Sequence, residues 1–437
     1  MRIGILTMFN GLATIYSLVN VVADHIKMLL EQGIEVRLLV SEDLKEEERW
    51  GIYLDPRIEW VKVCNHYQDK QIIWHDYSSP KAVIHDTFLE EAETIGRDLT
   101  DKLQGLDVCM LHDILFQGWH LLHNVAVRYA AERLPGLRFI AMTHSLPDES
   151  QVGNQVAWPH SARYSPLPNT DYVYPTSCGL KALSRQYRVP MDRCHVLNNS
   201  LDILDNMCGE VKALGRQVDL LSPDILIVYP GRFTTGKKFE KVAMLAGALK
   251  SISTYEIKVI FCEFPSMDIP VAQYKKQIKE KGMYFGLKSD DMIFTSDYGF
   301  PNGLPRYAVL DLFTLSNLYI CPSYSESFGL TVLEAASRGN YLVLNEAVPA
   351  LEELGKDLGA CFLRWDARNF GFSTEETYSP SEKAYYEDNG KRILMAMEHN
   401  NIVTARMNIR KKYSPKWIYE NQLKMLLPAP VNKDFSS

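Results

Sequence analysis

Two short segments combine residue types and spacings suited to an anionic ligand. The first is Ser325-Glu326-Ser327-Phe328-Gly329-Leu330-Thr331-Val332-Leu333-Glu334-Ala335-Ala336. The apolar run Leu318–Cys321 before it reads as a strand, and a helical pattern begins near Leu330. A helix start offers unpaired N–H groups and the positive end of a dipole, which suits a diphosphate. Glu326 falls in the loop. Glu334 falls on the helix about one turn in, where a carboxylate can accept hydrogen bonds from a ligand's hydroxyls. An isolated pair of this kind reads as a first-turn capping acid and a solvated residue. The strand before it and the glycine between the two acids turn the reading toward a ligand site.

The second segment is Tyr229-Pro230-Gly231-Arg232-Phe233-Thr234-Thr235-Gly236-Lys237-Lys238, again between a strand-like and a helix-like stretch. Arg232 and Lys237 flank a glycine-bearing turn, a forked donor and a point charge together, as a diphosphate leaving group requires. Taken alone the turn is equally a solvated basic loop. It is not a P-loop, because the glycine spacing and the Lys–Ser/Thr pair are wrong. Earlier in the chain, His112-Asp113 and His144 each follow an apolar run, so the acidic and imidazole groups able to move a proton stand at strand ends.

Strands and helices alternate around these segments. Arg2–Thr7, Glu35–Val40, Val108–Leu111, Arg138–Met142 and Tyr172–Pro175 read as strands, with helical patterns at Val19–Gln32, Leu121–Leu134 and Gly179–Tyr187. The rhythm lapses at Met207–Ser222 and resumes with Ile225–Tyr229, Ile257–Cys262, Met292–Thr295, Leu318–Cys321 and Tyr341–Leu344. Alternation of this kind implies right-handed crossovers and parallel sheets. The expected organisation is α/β, with two Rossmann-like domains facing a cleft. The first spans 1–206, 207–222 is a linker, the second spans 223–413, and a C-terminal helix at 414–437 crosses back to the first. Ligands in such folds bind beyond the carboxyl ends of the strands. The loop Met8-Phe9-Asn10-Gly11-Leu12 lacks G-x-G-x-x-G, which argues against a nicotinamide enzyme.

Bulk properties exclude other classes. The 437 residues allow two or three domains, and 46% hydrophobic with 23% charged residues is an ordinary globular composition. A net charge of −7 argues against a nucleic-acid partner. The opening MRIGILTMFNGLA is broken by Asn10 and Gly11 and reads as a strand, not a signal peptide. No run reaches ~18 apolar residues, so no transmembrane segment is expected. Eight cysteines are scattered singly without a C-x-x-C pair, which reads as reduced thiols in a cytoplasmic protein.

The two charged segments resemble the retaining glycosyltransferases of family 4, which have the GT-B fold. That family shows Arg, four residues, then Lys, and further on Glu, seven residues, then Glu. Arg232/Lys237 and Glu326/Glu334 stand at those spacings. Asp107–His112, Thr143-His144-Ser145-Leu146 and Val196-Leu197-Asn198-Asn199-Ser200-Leu201-Asp202 resemble the family's corresponding strand exits, and Lys412–Leu427 its terminal helix. The resemblance implies a nucleoside diphosphate sugar as donor substrate and no separate cofactor. It implies that Arg232 and Lys237 bind the diphosphate and that the N–H groups of Leu330 and Thr331 meet phosphate oxygens. Glu334 would hold the ribose hydroxyls. Glu326, with the backbone of Phe328 and Gly329, would position the donor sugar. Gly11 would let the first loop approach the reaction centre, and His144 would face the donor sugar. His112 and Asp113 are the acceptor-side candidates.

The chain departs from the family pattern at Asn198 and Ser200, which replace Pro and Gly, and at Ile257–Phe264, which lacks glycines at its exit. Val348-Pro349-Ala350-Leu351-Glu352 replaces a glycine-rich turn. No Asp-x-Asp occurs, so the expected transfer is metal-independent, with Arg232, Lys237 and a helix N-terminus meeting the charge of the leaving group. Trp60, Tyr67, Trp74, Tyr77, Trp119 and Trp158 offer faces for a carbohydrate or glycosylated acceptor. Two other readings stay open: a non-catalytic module that binds nucleotide sugar, and a glycoside hydrolase using Glu326 and Glu334 as its acid–base pair.

Overall fold

The computed structural model describes residues 1–145, 156–266, 269–365 and 380–429. Leu146, in one of the strand-exit motifs, lies outside them, as do residues 430–437 of the expected C-terminal helix. The chain divides into two units, Met1–Ser200 with Pro415–Ser437, and Leu201–Ser414.

The first unit is a parallel sheet of seven strands, β1 (Arg2–Leu6), β2 (Glu35–Ser41), β3 (Ile58–Val63), β4 (Val108–His112), β5 (Arg138–Met142), β6 (Thr170–Tyr174) and β7 (Cys194–Val196), ordered β3-β2-β1-β4-β5-β6-β7. Its inner strands are apolar over most of their length because both faces are covered. Alternate side chains divide between two cores. Ile3, Ile5, Val108 and Met110 pack on one face, and Leu6, Cys109 and Leu111 on the other. Helix Ser17–Glu31 turns Val19, Val22, Ile26 and Leu29 onto the first face. The C-terminal turn adds Ile418, Tyr419, Leu423 and Leu426 to the same core. It is helical in short pieces, Pro415–Ile418, Tyr419–Leu423 and Lys424–Leu426, rather than one continuous helix.

The second unit is a parallel six-stranded sheet, β8 (Ile225–Arg232), β9 (Ile257–Phe264), β10 (Met292–Phe294), β11 (Leu318–Cys321), β12 (Tyr341–Asn345) and β13 (Cys361–Leu363), ordered β10-β9-β8-β11-β12-β13. In both units the strand order reverses beside the first strand, between β1 and β4 and between β8 and β11. The loops leaving those strands diverge there and open a crevice at their carboxyl ends. Each unit therefore places its candidate residues at its own switch point.

The division falls at Leu201, before the 207–222 stretch read as a linker. That stretch contains helix Gly209–Gly215, whose Val211 and Leu214 are fully buried in the second core. The sequence rhythm lapses there because the helix is short, not because the chain is unpacked. Strands β3, β7 and β13 and helix Phe88–Lys102 were not read from the sequence. In β3 three of six residues are only half-buried, so its apolar pattern is diluted by Glu59 and Lys62. Among the described residues no helix is long and apolar enough to cross a membrane.

Candidate functional site

In the second unit, β8 ends on Arg232 and a turn of 3-10 helix, Thr235–Lys237, leads to helix Phe239–Ser251. The turn is held from below. The Tyr229 hydroxyl donates to the Lys237 carbonyl at 2.5 Å, and the Tyr229 ring packs edge-on against Phe239. Lys238 adopts a left-handed backbone at φ 55° and is buried, with its ammonium 3.6 Å from Glu240 and 4.0 Å from the centre of the Tyr324 ring. Of the two adjacent lysines, only Lys237 keeps substantial exposure.

The loop after β11 closes on that turn. The Tyr324 N–H donates to the Gly236 carbonyl at 3.0 Å, and the Glu326 carboxylate forms an ion pair with the Lys237 ammonium. The chain then reverses at Gly329, whose φ of 91° is left-handed. A side chain there would press to 3.2 Å against Leu351 and Val332, so only glycine fits without displacement. Helix Leu330–Ser337 begins immediately, and no side chain caps it. Its first N–H groups therefore stand at the carboxyl end of β11, in the position that binds anions. Phe328 and Leu330 are exposed beside it, and Thr331 is tied to Tyr319 by a 2.7 Å hydroxyl contact.

Glu334 is 8% exposed and its carboxylate accepts from Arg306 Nε at 2.5 Å. The two acids therefore have separate cations, Lys237 for Glu326 and Arg306 for Glu334. An acid–base pair flanking one glycosidic bond gains no support from that arrangement. Neither pairing was read from the sequence, though Lys237 itself was. Arg306 opens a helix behind Pro305 with nothing in its spacing to mark it, and only the packing of Arg306–Leu315 near Leu330–Ser337 brings it to Glu334.

The exit of β9, where glycines were missing, is closed by a buried carboxylate. Glu263 accepts from the Thr295 N–H at 3.1 Å and pairs with Lys275 at 3.1 Å. At Val348–Glu352 the chain enters helix Pro349–Leu358, and Glu352 is spent on Lys356 one turn later.

The first unit brings together His112, Asp113 and His144. His112 ends β4, Asp113 turns left-handed at φ 58°, and its carboxylate accepts the His144 N–H at 2.8 Å. His112 Nδ1 lies 3.0 Å from His144 Nε2, with the two rings nearly parallel. Burial draws the His144 imidazole below its ordinary range against the opposing charge of Asp113, and it draws His112 further down. Both rings are therefore neutral near neutral pH and supply hydrogen-bonding edges rather than a cation. Burial also raises Asp113. Through its bond to the His144 N–H, Asp113 also supports the backbone at His144. His25 lies on the other side of this pair, its ring centre 5.3 Å from that of His112 and tilted by 47°. It lies on the buried face of its helix beside Val22 and Ile26, a placement the helical pattern already contained.

Gly11 lies in the loop after β1. The next N–H, of Leu12, donates to Glu48 at 3.2 Å, and the Leu12 carbonyl accepts from Trp50 at 2.7 Å. A side chain on Gly11 would meet the Glu48 carboxylate at 3.1 Å, a tight contact that Glu48 would have to yield to. Asn198, where the family pattern has Pro, exchanges two hydrogen bonds with Gln422 at 2.7 and 2.6 Å and so ties the C-terminal turn to the sheet. Proline has no N–H for the first of these. Of the six aromatics, Tyr77 is buried, and Trp74 packs against two histidines. Trp60 is covered by Arg49, and Tyr67 is half-buried with its hydroxyl donating to Glu90, which leaves Trp119 and Trp158 as the exposed faces. Among the described residues no group of three or more His, Cys, Asp or Glu could hold a metal ion.

Two doubly wound units in series, each with its candidate groups at a switch point, define a chain of the GT-B type. Residues 215–362, which include Arg232, Lys237, Glu326 and Glu334, match the family of glycosyl transferases group 1, so this stretch of the chain is similar to that family. No curated protein matches it significantly. Among solved structures it is similar to HepE of Anabaena in complex with UDP-glucose, with 12% identity over 98% of this chain and 99% of that one and a TM-score of 0.37. A glycosyltransferase of Rickettsia africae has 12% identity over 97% of both chains and a TM-score of 0.33. Sucrose-phosphate synthase of Thermosynechococcus elongatus has 12% identity, also over 97% of both, and a TM-score of 0.35.

Proposed function

We propose that the chain is a retaining, metal-independent glycosyltransferase of the hexosyltransferase type, moving a sugar from a nucleoside diphosphate sugar to a carbohydrate or glycosylated acceptor. The observation that carries this reading is the meeting of Lys237, Glu326 and an uncapped helix start at Gly329 on the switch point of the second sheet. Departure of a nucleoside diphosphate builds negative charge on its bridging oxygen. A fixed ammonium, the guanidinium of Arg232 and the N–H groups of Leu330 and Thr331 are groups that can meet it without reorganising. Glu326 then lies where a donor sugar follows the diphosphate, and Glu334 where the ribose precedes it. Retention rests on the family resemblance, in which the acceptor attacks from the face the leaving phosphate occupies. His144, neutral and tied to His112, contributes a hydrogen bond to the donor sugar. The eight free thiols fit a reducing, cytoplasmic setting.

Transfer is expected to proceed in excess chelator and to give a product with the donor's anomeric configuration, read from NMR coupling constants. Activity abolished by chelator and restored by a divalent metal overturns the first half. An inverted product overturns the second and makes His144 a catalytic base. Sugar release from a glycoside with no nucleotide donor would favour a hydrolase, and nucleotide-sugar binding without transfer or donor hydrolysis would favour a binding module.

Glu334 gives a second test. Glu334→Ala is expected to weaken binding of the bare nucleoside diphosphate by about 1.5–3 kcal/mol, the contribution of a hydrogen bond to a charged group. Titration calorimetry with the diphosphate and its 2′,3′-dideoxy analogue checks it. If wild type and variant discriminate against the analogue equally, Glu334 does not hold the ribose.

A further inference from the structure

We infer that Glu326 also makes the site prefer the loaded donor over the spent nucleoside diphosphate, by exchanging Lys237 for the donor sugar. The inference rests on the reading of this site as a nucleotide-sugar site. Lys237 and Glu326 come from different loops, 89 positions apart, and each is the other's ion-pair partner among the described residues. Their side chains are 31% and 17% exposed. The loops are already joined by the Tyr324 N–H to Gly236 carbonyl bond, so the pair is a feature of the folded unit rather than a chance surface contact. Near Glu326 lie Tyr229 and Cys321, both buried and both neutral near neutral pH.

A diphosphate that takes the Lys237 ammonium must therefore draw it from Glu326. With the bare diphosphate, the carboxylate loses its ion-pair partner while partly shielded from water, and the ligand offers it no donor in exchange. Losing one partner of a shielded ion pair is costly in a way that losing both is not. With a nucleoside diphosphate sugar, the sugar hydroxyls donate to the same carboxylate, and charge-assisted bonds replace the lost ion pair. The exchange is complete only when phosphate and sugar are present together. After transfer the sugar is gone, Glu326 returns to Lys237, and the spent diphosphate is displaced. The carboxylate thus acts twice on one turnover, as a ligand for the incoming sugar and as a competitor of the outgoing phosphate.

The test uses the full chain and Glu326→Gln, which keeps the side chain's size and hydrogen-bonding ability and removes its charge. UDP, GDP and ADP, each bare and as glucose, galactose, mannose and N-acetylglucosamine conjugates, are titrated by calorimetry into both proteins, with circular dichroism confirming that the variant is folded. The expected result is that the variant binds the bare diphosphate about threefold to tenfold more tightly, the scale of one partly shielded ion pair, while its affinity for the conjugate does not rise. The inhibition constant of the diphosphate as product falls by the same factor. An unchanged or weaker diphosphate affinity overturns the exchange and leaves Glu326 as a sugar contact alone. An equal tightening toward diphosphate and conjugate also overturns it, since that is simple relief of repulsion between carboxylate and phosphate. If wild type binds none of these nucleotides, the functional reading itself fails, and the exchange with it.

Discussion

Replacing Lys237 by alanine is expected to lower kcat by about a hundred- to a thousandfold while leaving the protein folded, the loss found when one preorganised donor is removed from a developing anion. The structural consequences are small by comparison. The carbonyl of Lys237, which anchors the turn to the Tyr229 hydroxyl, belongs to the backbone and survives the substitution. The side chain is partly exposed, and its removal opens no core cavity. What disappears is the one ammonium that the turn presents, because the neighbouring Lys238 is already spent on Glu240 and the Tyr324 ring. Lys237→Arg restores charge but not shape, since a planar fork does not occupy the place of a compact ammonium, and intermediate activity is expected. The measurement is steady-state kinetics on purified variants whose thermal unfolding matches wild type. A folded alanine variant within a factor of a few of wild-type activity removes Lys237 from the mechanism.

The first unit should lose stability steeply in mild acid. Burial draws four of its histidines below their ordinary value of 6.5: the buried His25 to about 3, the half-buried His120 to about 4, and the buried His112 and His123 well below, with neighbouring imidazoles adding to the shift of all but His120. Folded, these rings are neutral; unfolded, they take up protons once pH falls below about 6.5. The unfolded state therefore binds more protons across the interval from 6.5 down to the folded values. Each such histidine costs ~1.4 kcal/mol of stability for every pH unit within it, and above 6.5 the term vanishes. With four acting together the slope approaches about 5 kcal/mol per unit near pH 5, enough to unfold a domain of ordinary stability. Asp113 works in the opposite sense. Its raised value means that the folded state takes its proton first, but this helps only toward the carboxylate range. Urea unfolding at pH 7.5, 6.5 and 5.5, followed by circular dichroism, checks the expectation, and His25→Leu should reduce the slope by about one proton. Two transitions are expected for two units, and the acid-labile one should belong to the first. A midpoint that does not move between pH 7.5 and 5.5 excludes the effect.

Strand and helix placement was legible wherever apolar runs were long and uninterrupted. Arg138–Met142 and Leu318–Cys321 have the bounds the sequence suggested, because a strand buried on both faces has no polar position at which the pattern can blur. The shortfall was at edges. β3 carries an exposed Glu59 and a half-buried Lys62, and β7 is only three residues long, so neither rises above a loop in one dimension. The short helix Gly209–Gly215 passed for a linker for the same reason.

The residues able to bind a diphosphate and hydroxyls were visible in the chain itself. Arg232, Lys237, Glu326, Gly329 and Glu334 announce themselves by chemical type, by spacing and by their position after apolar strands, and those properties are local. Their partners are not local. That Lys237 faces Glu326, that Glu334 is held by Arg306, that Asp113 grips the His144 N–H, and that His25 lies against His112 were decided by the tertiary structure alone. A sequence records what a side chain can do within a turn or two of its own backbone. Which cation neutralises which carboxylate depends on strand order and on the switch point that brings loops from distant parts of the chain to the same sheet edge.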